Sequence, residues 1–144
     1  MKKLAGGKAL AVAAVVGGAV IASVAPVLAD VSAQSPSTSA VRVETAAKYK
    51  AWGAVAEVQV SYACPAGSQA YLNVQVTQSV LGGIASGGAY RDSLACTGGF
   101  QTITLNVTAT ERAFRLGTAF GKAELRTYSS GGVARDERNI TIGL

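Results

Sequence analysis

The sequence predicts an all-β protein: one antiparallel sandwich of about seven strands over residues 41–144, behind a secretory signal at 1–29 and a flexible leader at 30–40. Three observations carry this. Beyond residue 40 apolar and polar residues alternate with period two almost everywhere, the signature of half-buried strands. Convincing helical spacing is absent after the signal. The only two cysteines, Cys64 and Cys96, both lie in the exported portion, where oxidising conditions make a disulfide the default.

The chain opens with Lys2, Lys3 and Lys8 ahead of an apolar run from Ala9 to about Ala25, then a small-residue end at Val27-Leu28-Ala29. That is the three-part grammar of an export signal, read as a signal-peptide helix cleaved after Ala29, with Val31-Ser32-Ala33 as a second site. Gly17 and Gly18 interrupt the run and no basic stop-transfer cluster follows it, which argues against a retained membrane span. The absence of a lipobox cysteine and of an apolar C-terminal tail argues against any stable anchor. The expected location is extracellular or in the cell envelope. Cleavage leaves 115 of 144 residues, enough for one core and too few for two domains. Three of the thirteen basic residues leave with the signal, so ten face eight acids. A net charge of about +2 gives no reason to expect nucleic acid or anionic lipid as a partner.

From Asp30 to Ala40 the chain is small, polar and aperiodic with Pro36, a leader without fixed structure. Val41-Arg42-Val43 reads as a short first strand, with another near Lys48 to Trp52. The strongest strand runs from Ala54 to Cys64, with Ala56, Val58, Val60, Tyr62 and Cys64 inward and Glu57, Gln59 and Ser61 outward. Pro65-Ala66-Gly67-Ser68 turns the chain, and Tyr71 to Val80 alternates again with Leu72, Val74 and Val76 inward. The glycine-rich stretch 82–98 has no clear pattern; Ile84 and Tyr90 suit short edge strands beside loops. Phe100 to Ala109 places Ile103, Leu105 and Val107 on one face, and Phe114-Arg115-Leu116-Gly117 reads as a turn around a buried aromatic. Thr118 to Ser129 puts Ala119, Gly121, Ala123 and Leu125 inward, and Ser129-Ser130-Gly131-Gly132 closes a hairpin. The last strand directs Ile140, Ile142 and Leu144 one way and Asn139 and Thr141 the other.

At Val58-Gln59-Val60-Ser61-Tyr62-Ala63-Cys64, and at Phe114-x-x-Gly117-x-Ala119-x-x-x-Ala123-x-Leu125, the chain resembles immunoglobulin-like domains. More narrowly, with its Ala/Gly/Val-rich signal, it looks like the small secreted immunoglobulin-like sandwiches of actinobacteria. The resemblance covers about Val41 to Leu144 and implies a fold; that group offers no activity to carry over. Two features depart from it. Antibody-type domains join the strands called B and F across a buried Trp, whereas here Cys96 precedes the fifth strand and Trp52 lies ahead of Cys64. The bond is therefore expected to tie the end of the Cys64 strand to the loop entering the Phe100 strand. Chain entropy puts such a crosslink at about 3 to 4 kcal/mol.

The chain contains no histidine, which removes Ser-His-Asp and Cys-His nucleophilic sites and every imidazole metal site. Paired carboxylates are formally available, but Asp30, Glu44, Glu57, Asp92, Glu111, Glu124, Asp136 and Glu137 are scattered over outward positions and turns, as solvated charges are. Asp136-Glu137 between Arg135 and Arg138 lacks the alternation of a calcium loop. Gly82-Gly83 and Gly87-Gly88 precede no helix that could hold a phosphate. No catalytic residue, metal ligand or cofactor site is expected. One surface stands out. If the Tyr71, Thr118 and Asn139 strands pair, then Tyr71, Asn73, Gln75, Lys122, Arg126, Tyr128 and Thr141 share an outward face suited to extracellular protein or carbohydrate. The expected function is a non-enzymatic binding or structural module. The alternative is a secreted protease or hydrolase inhibitor presenting Ser79 to Asp92 as an exposed loop.

Overall fold

A computed structural model describes residues 39–128 and 132–144. The signal peptide, the leader through residue 38 and three of the four residues in the 129–132 hairpin lie outside them. Among the described residues no helix is long and apolar enough to cross a membrane.

Seven strands follow in order: β1 (Ala40–Lys50), β2 (Val55–Ala63), β3 (Gln69–Val80), β4 (Gly83–Ala95), β5 (Gln101–Ala109), β6 (Gly117–Thr127) and β7 (Val133–Gly143), with a single 3-10 turn at Ala51–Gly53 between β1 and β2. The all-β expectation holds, and the inward residues of β2, β3 and β6 are buried as their alternation predicts. Phe114 is fully buried and joins Val58, Val60, Leu72, Val74, Leu125, Ile140 and Ile142 in one continuous core. Each large apolar side chain so buried contributes about 1.5–3 kcal/mol against chain entropy. Leu144, expected inward, is 95% exposed, because it lies past the end of β7 at Gly143 and outside the strand's pleat.

The expected sandwich is corrected to a closed barrel in the order β1-β2-β5-β4-β3-β6-β7, with β7 returning to β1. Two seams close it. At the first, β1 shifts register against β2 between Val43 and Ala47, and Ala46–Lys48 then lies parallel to Thr141–Gly143 of β7. The bulge re-aims the strand from one neighbour to the other. Where backbone pairing between β1 and β7 gives out, the Val43 amide donates to Asp136 Oδ2 at 2.7 Å, and Arg138 holds both oxygens of that carboxylate at 2.8 and 3.0 Å. At the second seam β4 pairs along its length with β3 and reaches β5 only through Gly87 and Gly88. A Cβ at Gly87 would stand 2.2 Å from the Thr108 carbonyl oxygen, so only glycine permits this contact.

Two of the expected elements change. The short strands at Val41–Val43 and Lys48–Trp52 are the two halves of one bulged β1, and Trp52 lies past its end in the 3-10 turn. The glycine-rich middle, expected as edge fragments and loops, is the thirteen-residue β4. The count of seven thus combines one strand fewer and one more than the alternation suggests.

The Cys64–Cys96 disulfide is formed and lies where its spacing placed it, between the end of β2 and the β4–β5 turn. Backbone bonds from Gly67 N to Cys96 O, Cys96 N to Ser68 O and Gly98 N to Cys64 O zip the two loops together around it. Tyr62, buried beside them, satisfies its hydroxyl on Ala95 O and Gln101 Oε1, and burial raises its phenol above the ordinary range.

Candidate functional site

β6 pairs antiparallel with both β3 and β7, and the registers set Tyr71 opposite Arg126, Asn73 opposite Glu124, and Gln75 opposite Lys122. Because alternate side chains leave a strand on the same side, all seven expected residues point outward: Tyr71, Asn73, Gln75, Lys122, Arg126, Tyr128 and Thr141. Thr141 is set apart from the other six along the sheet. It faces Thr118 at the far end of the sheet, beyond the Phe120–Asn139 pair.

Tyr90 of β4 completes a row that crosses the sheet diagonally, level with Asn73 at one end and with Gln69 at the other. The Tyr71 ring lies 5.8 Å from Tyr90 and 5.6 Å from Tyr128, tilted by 48° and 45°, within the range of favourable aromatic pairs. The Tyr90 phenol is pushed up, first by partial desolvation and then by Tyr128 and Asp92 beside it. It therefore stays protonated and able to donate at neutral pH.

Beside this row the face sinks. One depression of about 180 Å³ is lined by Asn73, Gln75, Lys122 and Glu124. A second, of about 260 Å³, is lined by Asn73, Gln75, Gly88, Ala89 and Tyr90. A third, of about 320 Å³, includes Gln75, Thr77, Ser86, Gly88 and Thr110. Gln75 borders all three, so they adjoin one another as an interrupted trough along β3, deepened where β4 presents only Ser86 and Gly88. A Cβ at Gly88 would meet nothing closer than the Val74 carbonyl oxygen at 3.6 Å.

Charge on the floor is paired. Glu124 accepts from Arg126 Nε at 2.5 Å and Arg135 Nε at 2.8 Å, and these hydrogen bonds hold its carboxyl below the usual range. Lys122 bridges to Glu137 at 3.1 Å. With their basic partners about half in water, such pairs orient side chains more than they stabilise the fold.

Sequence reasoning missed Tyr90, Glu124, Arg135 and Gly88. Glu124 was within reach, since it shares the parity of Lys122 and Arg126. Tyr90 and Gly88 lie in the stretch whose alternation glycine erases, so their side of the sheet could not be assigned. The Ser79–Asp92 segment, expected as an inhibitory loop, is instead the end of β3, a two-residue turn at Leu81–Gly82 and the paired body of β4. Its backbone is committed to the β3 ladder and has no extended loop to offer a protease cleft.

Compared with known protein families the chain matches none, and it matches none of the curated proteins.

Proposed function

We propose that the protein is an exported, non-enzymatic binding module of immunoglobulin-like strand order whose β3–β6 face holds an extended carbohydrate chain. The trough carries this reading. An aromatic row at one end and a floor of amide, ammonium and carboxylate groups match the two faces of a sugar ring: C–H groups lie against aromatic rings, and hydroxyls exchange hydrogen bonds with Asn73, Gln75, Lys122 and Glu124. A protein partner calls for a charge-depleted apolar centre, and this floor has none. The trough is open and elongated, a shape for several units of a polymer.

The immunoglobulin-like part rests on topology. Around the barrel β1-β2-β5-β4 and β3-β6-β7 follow the order of the ABED and CFG sheets of constant-type domains. A disulfide buried against the core agrees with an extracellular setting.

Retention on insoluble and soluble polysaccharides tests the proposal. Tyr71→Ala should lower retention at least tenfold, and Gly88→Val should abolish it by filling the trough, both with unchanged thermal unfolding. Polysaccharide retention that survives Gly88→Val overturns the assignment. So does failure to retain any polysaccharide while a protein partner is captured through Tyr128.

A further inference from the structure

Trp52 combines almost complete solvent exposure with a constrained backbone. Ala51, Trp52 and Gly53 have φ of 49°, 57° and 87°, three left-handed residues in succession, of which only the last is glycine. Trp52 is nevertheless 91% exposed. Such a conformation persists only where surrounding structure imposes it, and here it does. Ala54 N donates to Ala51 O, Ala109 N to Ala54 O, and Phe114 N to Gly53 O at 2.8 Å. A Cβ at Gly53 would stand 2.1 Å from the Phe114 carbonyl oxygen. The Phe114 loop is in turn clamped by buried Gln78, whose amide donates to Arg115 O and Thr118 O and whose Oε1 accepts from Arg115 N.

That loop and the Trp52 turn belong to one rim of the barrel. The registers bring Lys50 against Val55, Val80 against Gly83, and Gly117 against Ile142, so the β1–β2, β3–β4 and β5–β6 connections all emerge there. Their tips carry Trp52, Leu81 at 93% exposure, and Leu116 at 54%, with Ile84 just behind the hairpin. Between Tyr49, Trp52, Arg115 and Leu116 lies an open hollow of about 390 Å³. Arg112 reaches across to the β3–β4 hairpin, its guanidinium against Gly82 and Gly83.

We infer that this rim docks on a lipid bilayer with anionic headgroups, inserting Trp52, Leu81 and Leu116 at the interface. Protruding apolar tips on separate rigid loops, with a hollow between them, require a partner that fills space around each tip. A fluid headgroup layer does so without complementary pockets. An indole is favoured at headgroup depth, and basic groups beside apolar tips add attraction to anionic lipid. Lys48, Lys50, Arg112 and Arg115 outnumber Glu57 and Glu111 around this end; Glu57 lies 3.9 and 3.7 Å from the two lysines and offsets one of their charges. The surface is distinct from the tyrosine trough and needs no carbohydrate.

Trp52 is the only tryptophan in the chain, so its fluorescence reads this one side chain. The mature chain is titrated with phosphatidylglycerol–phosphatidylcholine vesicles and with pure phosphatidylcholine vesicles. Anionic vesicles should shift the emission to the blue and protect it from iodide. They should also pellet the protein, with at least a tenfold loss in Leu81→Ser/Leu116→Ser and in Trp52→Ala. Emission unmoved at saturating anionic lipid overturns the inference. Pelleting that is indifferent to all three substitutions does so equally, as does a Trp52 shift produced only by a captured protein.

Discussion

Side chains on the long strands were readable because each faces either core or water, and period two says which. Val58, Val74 and Leu125 follow from alternation alone, and Phe114 follows as the one aromatic residue in its turn. The conformation at Trp52 was not readable. Ala-Trp-Gly-Ala offers a single glycine, and the left-handed state of the two residues before it is imposed from outside by the Gly53–Phe114 contact. A left-handed non-glycine residue costs about 1 kcal/mol, and Trp52 gives up almost no packing in exchange. Trp52→Asn, whose short polar side chain tolerates this conformation, should therefore raise stability by about 1 kcal/mol in urea unfolding with the m-value unchanged. A loss of similar size would mean that the indole packs in solution and that its exposure has another explanation. Gln78 taught the opposite lesson. It falls on the inward parity of β3, yet it clamps the Arg115 loop, a role that alternation cannot assign.

Element boundaries were legible wherever β-branched and aromatic residues ran without interruption, as in β2, β3 and β5. β4 was hidden because four glycines among its first residues and neighbouring turn (Gly82, Gly83, Gly87, Gly88) have poor strand propensity and carry no side-chain period; pairing with β3 supplies what local preference lacks. The two adjacent glycines at the seam make different demands. At Gly87 a methyl group would meet backbone of β5 at 2.2 Å, whereas at Gly88 it would rest in ordinary contact. Gly87→Ala should thus cost about 1–3 kcal/mol by forcing β4 off β5, and Gly88→Ala should be near neutral. Chemical denaturation of the pair decides the matter: equal effects would show that β4 does not depend on the Gly87 approach. The same contrast explains why the trough can be filled at Gly88 without undoing the barrel.

At the scale of the molecule, the sequence placed the core and the disulfide but could not choose between an open sandwich and a closed barrel. That choice rests on few contacts: three parallel pairs between β1 and β7, two between β4 and β5, and the Asp136 carboxylate that stands in for a missing ladder bond. Asp136 loses hydration by burial, which alone would raise its pKa. Hydrogen bonds from Arg138 and the Val43 amide overcome that and leave it lowered from 3.8. Glu124, held by Arg126 and Arg135, is lowered from 4.5. A carboxylate whose folded value lies below its unfolded one contributes stability that is complete above the unfolded value and disappears as pH falls through the folded one. Closure of the β1–β7 seam should therefore be insensitive to pH near neutrality and weaken as pH drops below about 4. Thermal unfolding of the wild type should show a downward limb over that interval. In Asp136→Asn the melting temperature should be lower at pH 7 and the acid limb shallower, because the amide has no charge to lose and a poorer bond to offer Arg138 and Val43. Parallel acid limbs in the two proteins would show that Asp136 does not couple seam closure to its ionisation, and would leave Glu124, with its two arginines on the binding face, as the group to examine through Glu124→Gln.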